Sequence, residues 1–172
     1  MEISLLTSKC TLVPSQFFEP SKAREDLAEV TTLLESDEVS FTEIPQYGAI
    51  LVFCNKADES VAKHIYDDSA GQTIVRPELY FVLRDLPSCK EYNKILCSWQ
   101  DGLLSLGIAQ GRSLLLANVY EAMDFTTAEY FIFLAMNSLQ LNPEVSTICW
   151  RTPIGPEDEM SLYRYFKSVE VL

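Results

Sequence analysis

Between residues 94 and 150 one architecture can be read almost element by element. Ile95–Gln100 and Leu103–Ala109 are apolar stretches of strand length joined by Asp101-Gly102, a pair that favours a two-residue turn because both residues tolerate positive φ. Gln110-Gly111 makes the next turn, into Ser113–Tyr120. Thr126 with Glu129 three residues later reads as a capping box, which satisfies two orphan backbone groups at a helix start. Tyr130, Phe131, Ile132, Phe133, Leu134, Ala135, Met136 and Leu139 then cover nearly every face of that helix, which predicts burial between layers. Asn142-Pro143 stops it, and Val145–Trp150 is a further strand. Pro156 opens a helix through Tyr165, and Ser168–Leu172 begins one more strand. The order β-β-β-α-β-α demands an α/β fold with a mixed sheet, as in ribonuclease-H-like lobes.

The first half alternates strands and helices but offers no opening three-strand meander. Ile3–Leu6 and Lys9–Val13 are strand-like, the second ended by Pro14, and Pro20 suits a first helical turn. From Ala23 the apolar residues Leu27, Val30, Leu33 and Leu34 recur at helical spacing. Val39–Ile44 alternates, and after a turn at Pro45–Gly48 the continuous run Ala49–Cys54 predicts a buried strand. Asp58 is a candidate N-cap for a helix through about Asp68, with Val61 and Ile65 inward. Thr73–Val75 is a short strand, and Pro77 opens a helix carrying Leu79, Tyr80, Val82, Leu83 and Leu86. The expected division is a partial α/β lobe over 1–90 and a ribonuclease-H-like lobe over 91–172. No solenoid-length repeat and no low-complexity linker interrupts it.

Charge and cysteine content narrow the setting. Thirteen Lys+Arg against 25 Asp+Glu give −12, a field that repels phosphate backbones and anionic membranes, so nucleic acid is not an expected partner. Five cysteines (Cys10, Cys54, Cys89, Cys97, Cys149) are widely spaced, with no C-x-x-C, and several sit inside apolar runs. They read as buried free thiols of a reducing compartment, not as a disulfide framework or zinc site. No long apolar stretch follows the first basic residue, Lys9, and the most apolar helix falls short of the ~20 residues that span a bilayer. The expected location is the cytoplasm, without membrane insertion.

Two stretches carry a resemblance. Thr11-Leu12-Val13-Pro14 followed by Phe17-Phe18, and the run Asn118–Tyr130 with Phe125-x-Thr127-Ala128-Glu129, resemble an uncharacterised bacterial family of unknown function with an actin-like ATPase fold. That family is distantly similar to pilus-assembly and cell-division proteins of the actin superfamily. The resemblance implies an actin-like arrangement of lobes here, with mixed sheets. Because family members carry a first β-meander and helix before the Thr-Leu-Val-Pro stretch, it also implies that the first lobe is incomplete.

The chemistry such a fold would need is thin. Actin-type ATPases hold phosphates on a hairpin whose small residues let backbone N–H groups approach the anion. The matching hairpin here is Ser98-Trp99-Gln100-Asp101-Gly102-Leu103-Leu104-Ser105. Asp101, Gly102 and Ser105 are its candidate nucleotide-binding residues, with ATP and Mg²⁺ the implied cofactors, but Leu103 and Leu104 replace the small, hydroxyl-bearing turn. Six glycines, with no G-x-G-x-x-G and no P-loop, offer no other phosphate cradle. Two-metal nuclease chemistry needs a carboxylate in the first meander strand, and Ile95–Gln100 has none. Asp67-Asp68 and Glu157-Asp158-Glu159 are the acidic clusters; the second sits in a first helical turn, where acids meet the helix dipole.

His64, the single histidine, lies near the edge of the Val61/Ile65 stripe and reads as structural. A thiol-dependent enzyme would need a cysteine that reacts at neutral pH. Trp99 and Trp150 fall in strands and read as core or sheet-face packing, and the aromatic and basic run Tyr163–Lys167 as a docked terminal helix. The expected function is a non-catalytic interaction or scaffold protein with a protein partner or self-association. The alternative is a nucleotide-binding, ATPase-like protein with an unconventional hairpin.

Overall fold

The computed structural model describes residues 1–56 and 73–172, and within them the chain divides into two compact units, Met1–Phe81 and Val82–Leu172. The helix expected from Asp58 to Asp68, with His64 and Asp67-Asp68, lies outside the described residues. Among the described residues no helix is long and apolar enough to cross a membrane.

In the first unit, strands β1 (Glu2–Leu5) and β5 (Ile74–Pro77) pair in parallel, while β2 (Cys10–Pro14), β3 (Val39–Ile44) and β4 (Ala49–Cys54) form an antiparallel sheet of order β2-β4-β3. The apolar run of β4 takes the middle place because both its faces are covered. Val52 and Cys54 meet Ala23 and Leu27 of helix α1 (Ala23–Ala28) on one side, and Leu51 and Phe53 are buried as well. On the smaller sheet Glu78 accepts a hydrogen bond from Ser4, while Arg76 pairs with Glu2 and stacks 4.5 Å over the Tyr80 ring.

Helix α1 is shorter than its apolar spacing predicts. It ends at Ala28, and Val30 and Leu34 are exposed at 61% and 54%. Polar tertiary contacts take over the backbone there. Arg24 donates to the Leu34 and Asp37 carbonyls at 2.7 and 2.6 Å. The buried Asp37 carboxylate accepts from Lys9 Nζ at 2.8 Å and from Leu34 N–H at 2.9 Å. These bonds satisfy the loop without another helical turn.

The second unit follows the expected order. Strands β6 (Asn93–Gln100), β7 (Leu103–Gln110) and β8 (Ser113–Glu121) form an antiparallel meander, α3 (Phe125–Ser138) crosses over, and β9 (Thr147–Trp150) adds in parallel to β6. Helix α4 (Pro156–Tyr163) and β10 (Ser168–Val171) complete a mixed sheet of order β10-β9-β6-β7-β8. One sheet face carries Ile95, Cys97, Leu104, Leu106, Ile148 and Trp150, packed against Phe125, Ile132, Met136 and Leu162 of the two helices. The opposite face carries Leu96, Gly107 and Cys149 in register. It is covered at Gly107 by Val82 and Leu86, from the end of helix α2 (Glu78–Asp85) and the 3₁₀ turn Leu86–Ser88.

Three expectations about this unit are corrected. The helix start at Phe125 is capped by Asp124, whose carboxylate accepts from Thr127 N–H at 2.7 Å; Thr126 and Glu129 do not form the cap. An ionised carboxylate two residues earlier answers both the orphan N–H and the helix dipole. Helix α3 is not buried all round, since Tyr130 and Leu134 are 59% and 49% exposed and its buried stripe is Phe125, Ala128, Ile132, Ala135 and Met136. Its end precedes Asn142-Pro143: Gln140 adopts φ 57, and Leu141 N–H and Gln140 N–H return to the carbonyls of Met136 and Asn137 at 2.9 and 3.1 Å. That pair of bonds is a Schellman ending with glutamine where glycine is usual.

Candidate functional site

The β6–β7 hairpin is built as its residues demand. Asp101 and Gly102 both take positive φ, 47° and 75°, and close a two-residue turn with Gln100 opposite Leu103. What lies on the turn could not be read from the turn itself. After β8 the chain folds back over it: Ala122 N–H donates to the Gly102 carbonyl at 2.8 Å, and Trp99 Nε1–H donates to the Ala122 carbonyl at 2.8 Å. A Cβ placed on Gly102 would stand 2.6 Å from the Met123 sulfur, so the glycine is the seat of the Met123 side chain. Trp99 is fixed further by its N–H to Thr152 Oγ1 (3.1 Å) and by the Phe125 ring, whose centroid is 5.5 Å away.

The three candidate residues are not brought to one point. Asp101 is exposed at the tip, Gly102 lies under Met123, and Ser105 is buried at 3% exposure, three positions along β7 and opposite Ser98. At ~3.3 Å per residue Ser105 stands about 10 Å from the turn. Leu104 between them is fully buried.

The helix N-termini of this unit already carry carboxylates. Asp124 caps α3, and its bond from Thr127 holds its carboxyl below the usual range. Glu157, Asp158 and Glu159 fill the first turn of α4; burial and the neighbouring Glu157 push Asp158 upward. At the end of β9, Arg151 pairs with Asp85 at 3.1 Å. Burial opposes the Asp85 charge, but bonds and charges from Arg84 and Arg151 outweigh it, leaving its carboxyl below the usual range. Among the described residues no three His, Cys, Asp or Glu side chains converge as metal ligands. A cavity of about 340 Å³ lies away from the hairpin, among Phe133, Asn142, Pro143, Glu144, Arg164 and Tyr165.

Other sequence candidates resolve into packing. Trp150 is fully buried beside Phe125, Phe166 stacks on Phe133, and Lys167 reaches Glu91 at 3.5 Å. All five cysteines are free; Cys10 is half-buried and the other four are buried.

A family model described as a protein of unknown function (DUF3822) matches residues 2–169. Among solved structures, a Bacteroides thetaiotaomicron protein with an actin-like ATPase fold and unknown function matches with a TM-score of 0.77 at 16% identity, over 99% of this chain and 67% of that one. A PilM–PilN type IV pilus biogenesis complex matches with a TM-score of 0.48 at 14% identity, over 95% of this chain and 65% of that one. The chain thus spans about two thirds of the length of either. No curated protein sequence matches. At 16% identity the first likeness shows the fold, which is that of the actin-like ATPases.

Proposed function

We propose that this chain, which belongs to the DUF3822 family, is a non-catalytic interaction protein that binds a protein partner or another copy of itself through an actin-like fold that no longer grips nucleotide. The observation that carries this reading is Met123 seated on Gly102, with the Gly102 carbonyl taken by Ala122. A phosphate-binding hairpin works by letting an anion approach small residues and their backbone N–H groups. Here a thioether covers the glycine, and Leu104 replaces a hydroxyl-bearing neighbour. The dipoles of α3 and α4, which could otherwise draw a phosphate, already face the chain's own carboxylates.

Exposed apolar side chains supply the surface an interaction protein needs. Tyr130 and Leu134 stand one turn apart on α3, and Leu115 is 38% exposed on β8, which borders the five-stranded sheet. The net charge of −12 disfavours nucleic acid as the partner. Five free thiols favour a reducing, cytoplasmic setting. Titration calorimetry with ATP and Mg²⁺ tests the reading: no saturable heat is expected. Micromolar binding that Asp101→Ala weakens would overturn it in favour of an ATPase-like cleft around Asp101 and Gly102.

A further inference from the structure

We propose that the chain associates with a second copy of itself by antiparallel pairing of their β8 edges, which joins two five-stranded sheets into one. The inference rests on the interaction reading above and names its partner and surface. Strand β8 closes the sheet order, and among the described residues it pairs with β7 alone. Which of its backbone groups face outward follows from the hairpins. Gln100 and Leu103 flank a two-residue turn, so Leu103 exchanges hydrogen bonds with β6. By alternation Leu104 and Leu106 turn to β8, while Ser105 and Gly107 turn to β6. Val119 and Ala117, opposite Ser105 and Gly107, therefore present N–H and carbonyl to the open edge. Val119 agrees: its N–H donates to Asn118 Oδ1 at 2.9 Å.

A second copy fits this edge because β8 is complementary to itself. Ala117 is the midpoint of Ser113–Glu121, so a two-fold axis there, normal to the sheet, overlaps the strands along their whole length. Between Arg112 and Glu121 the strand has no charge and no proline, two of the usual guards of an exposed edge. In the two-fold pairing Arg112 of each copy comes beside Glu121 of the other, and both residues are exposed. A parallel pairing would instead set Arg112 against Arg112 and Glu121 against Glu121. Two copies at −12 each repel over most of their surface, and this seam brings no like charges together. Apolar contact adds to the backbone bonds. The same axis keeps both α3 helices on one side of the joined sheet. Phe131 stacks on Tyr120 of β8 with centroids 4.7 Å apart, which sets that flank of α3 over the edge strand. Leu134, three residues on and so on the same flank, is 49% exposed. On the strand itself the register shift at Ile108/Ala109 skips Leu115, which is 38% exposed.

Sedimentation velocity of the full chain from about 1 to 200 μM tests the pairing, and a monomer–dimer equilibrium is expected within that range. Val119→Pro removes an outward N–H that β7 does not use, so the dimer should be lost while the circular dichroism spectrum keeps the parent's shape. Arg112→Glu puts like charges at both ends of the seam and should weaken the dimer about tenfold. Adding Glu121→Arg reverses both ends together and should restore it, a rescue that stands even if the proline variant does not fold. A monomer throughout the range would overturn the proposal. So would a dimer that neither the Arg112→Glu exchange nor its rescue changes; that result would move the interface elsewhere and leave the interaction reading standing. The interaction reading itself fails on a different measurement, saturable ATP binding by calorimetry.

Discussion

Gly107 offers a quantitative test of how the second sheet face is packed. It lies mid-strand in β7, opposite Leu96 and Ala117, and a Cβ built on it would meet Val82 Cγ1 at 3.2 Å, Leu86 Cδ2 at 3.3 Å and Leu83 Cδ2 at 3.8 Å. All three neighbours are fully buried, so they can yield only by moving the α2 segment. In Gly107→Ala the crowding of one methyl is offset by about 0.4–1 kcal/mol from a less flexible unfolded chain, which leaves stability within about 1 kcal/mol of the parent. Gly107→Val adds two more carbons where no space exists, an overpacking cost of about 1–3 kcal/mol. At roughly 2–4 °C per kcal/mol for a chain of this size, Val should lower Tm by about 3–10 °C, and Ala by no more than a few degrees. Circular dichroism melts, with urea unfolding to check that the m-value is unchanged, measure both. Adding Leu86→Ala should recover part of the Val loss, a coupling expected only of side chains in contact. A Val variant as stable as the parent, or one indifferent to Leu86→Ala, would refute the packing.

Three smaller predictions follow from polar groups. Glu129 has one buried oxygen without a hydrogen-bond partner, and its pKa is raised, chiefly by burial and also by Asp158, against the opposing bond from Ser161 and charge of Arg164. A carboxyl with a raised folded pKa contributes stability that is present at low pH and lost as pH rises past its ordinary value of 4.5. Glu129→Gln should therefore gain stability relative to the parent as pH rises from 4 to 7, read from paired melts. Asp37 behaves oppositely: the Lys9 and Leu34 bonds lower its pKa, so its contribution is present above the ordinary 3.8 and lost as pH falls through the lower folded value. Asp37→Asn should flatten the acid limb of the Tm–pH curve; an unchanged limb would count against that loop's arrangement. Gln140→Gly removes side-chain strain at φ 57 and should stabilise by about 0.5 kcal/mol in urea unfolding, whereas Gln140→Val should destabilise.

Local chemistry explains which features could be read from sequence. Asp101-Gly102 announced its hairpin because a two-residue turn imposes positive φ, and few residue pairs accept it. The meander, crossover helix and following strand were legible because apolar period and turn residues agree along 95–150. Helix α1 was overextended because Val30 and Leu34 keep helical spacing, while Arg24 and Asp37, ten and more residues apart, hold the backbone elsewhere. The α3 cap was misplaced by two residues because Asp124 and Thr126 both have capping side chains, and only the entry direction of the chain decides between them. At the hairpin the greasy Leu103-Leu104 pair was visible. Its cover by Ala122 and Met123 was not, since that depends on the chain returning after β8.

The central claim is that the 98–105 corner does not hold a polyphosphate. Crystals of the full chain soaked with Mg²⁺ and a non-hydrolysable ATP analogue address it most directly. The account predicts Met123 still seated on Gly102, Ala122 N–H still bonded to the Gly102 carbonyl, and no ligand density beside the turn. Density for a triphosphate held by the backbone amides of residues 100–103, with Met123 swung aside, would contradict it.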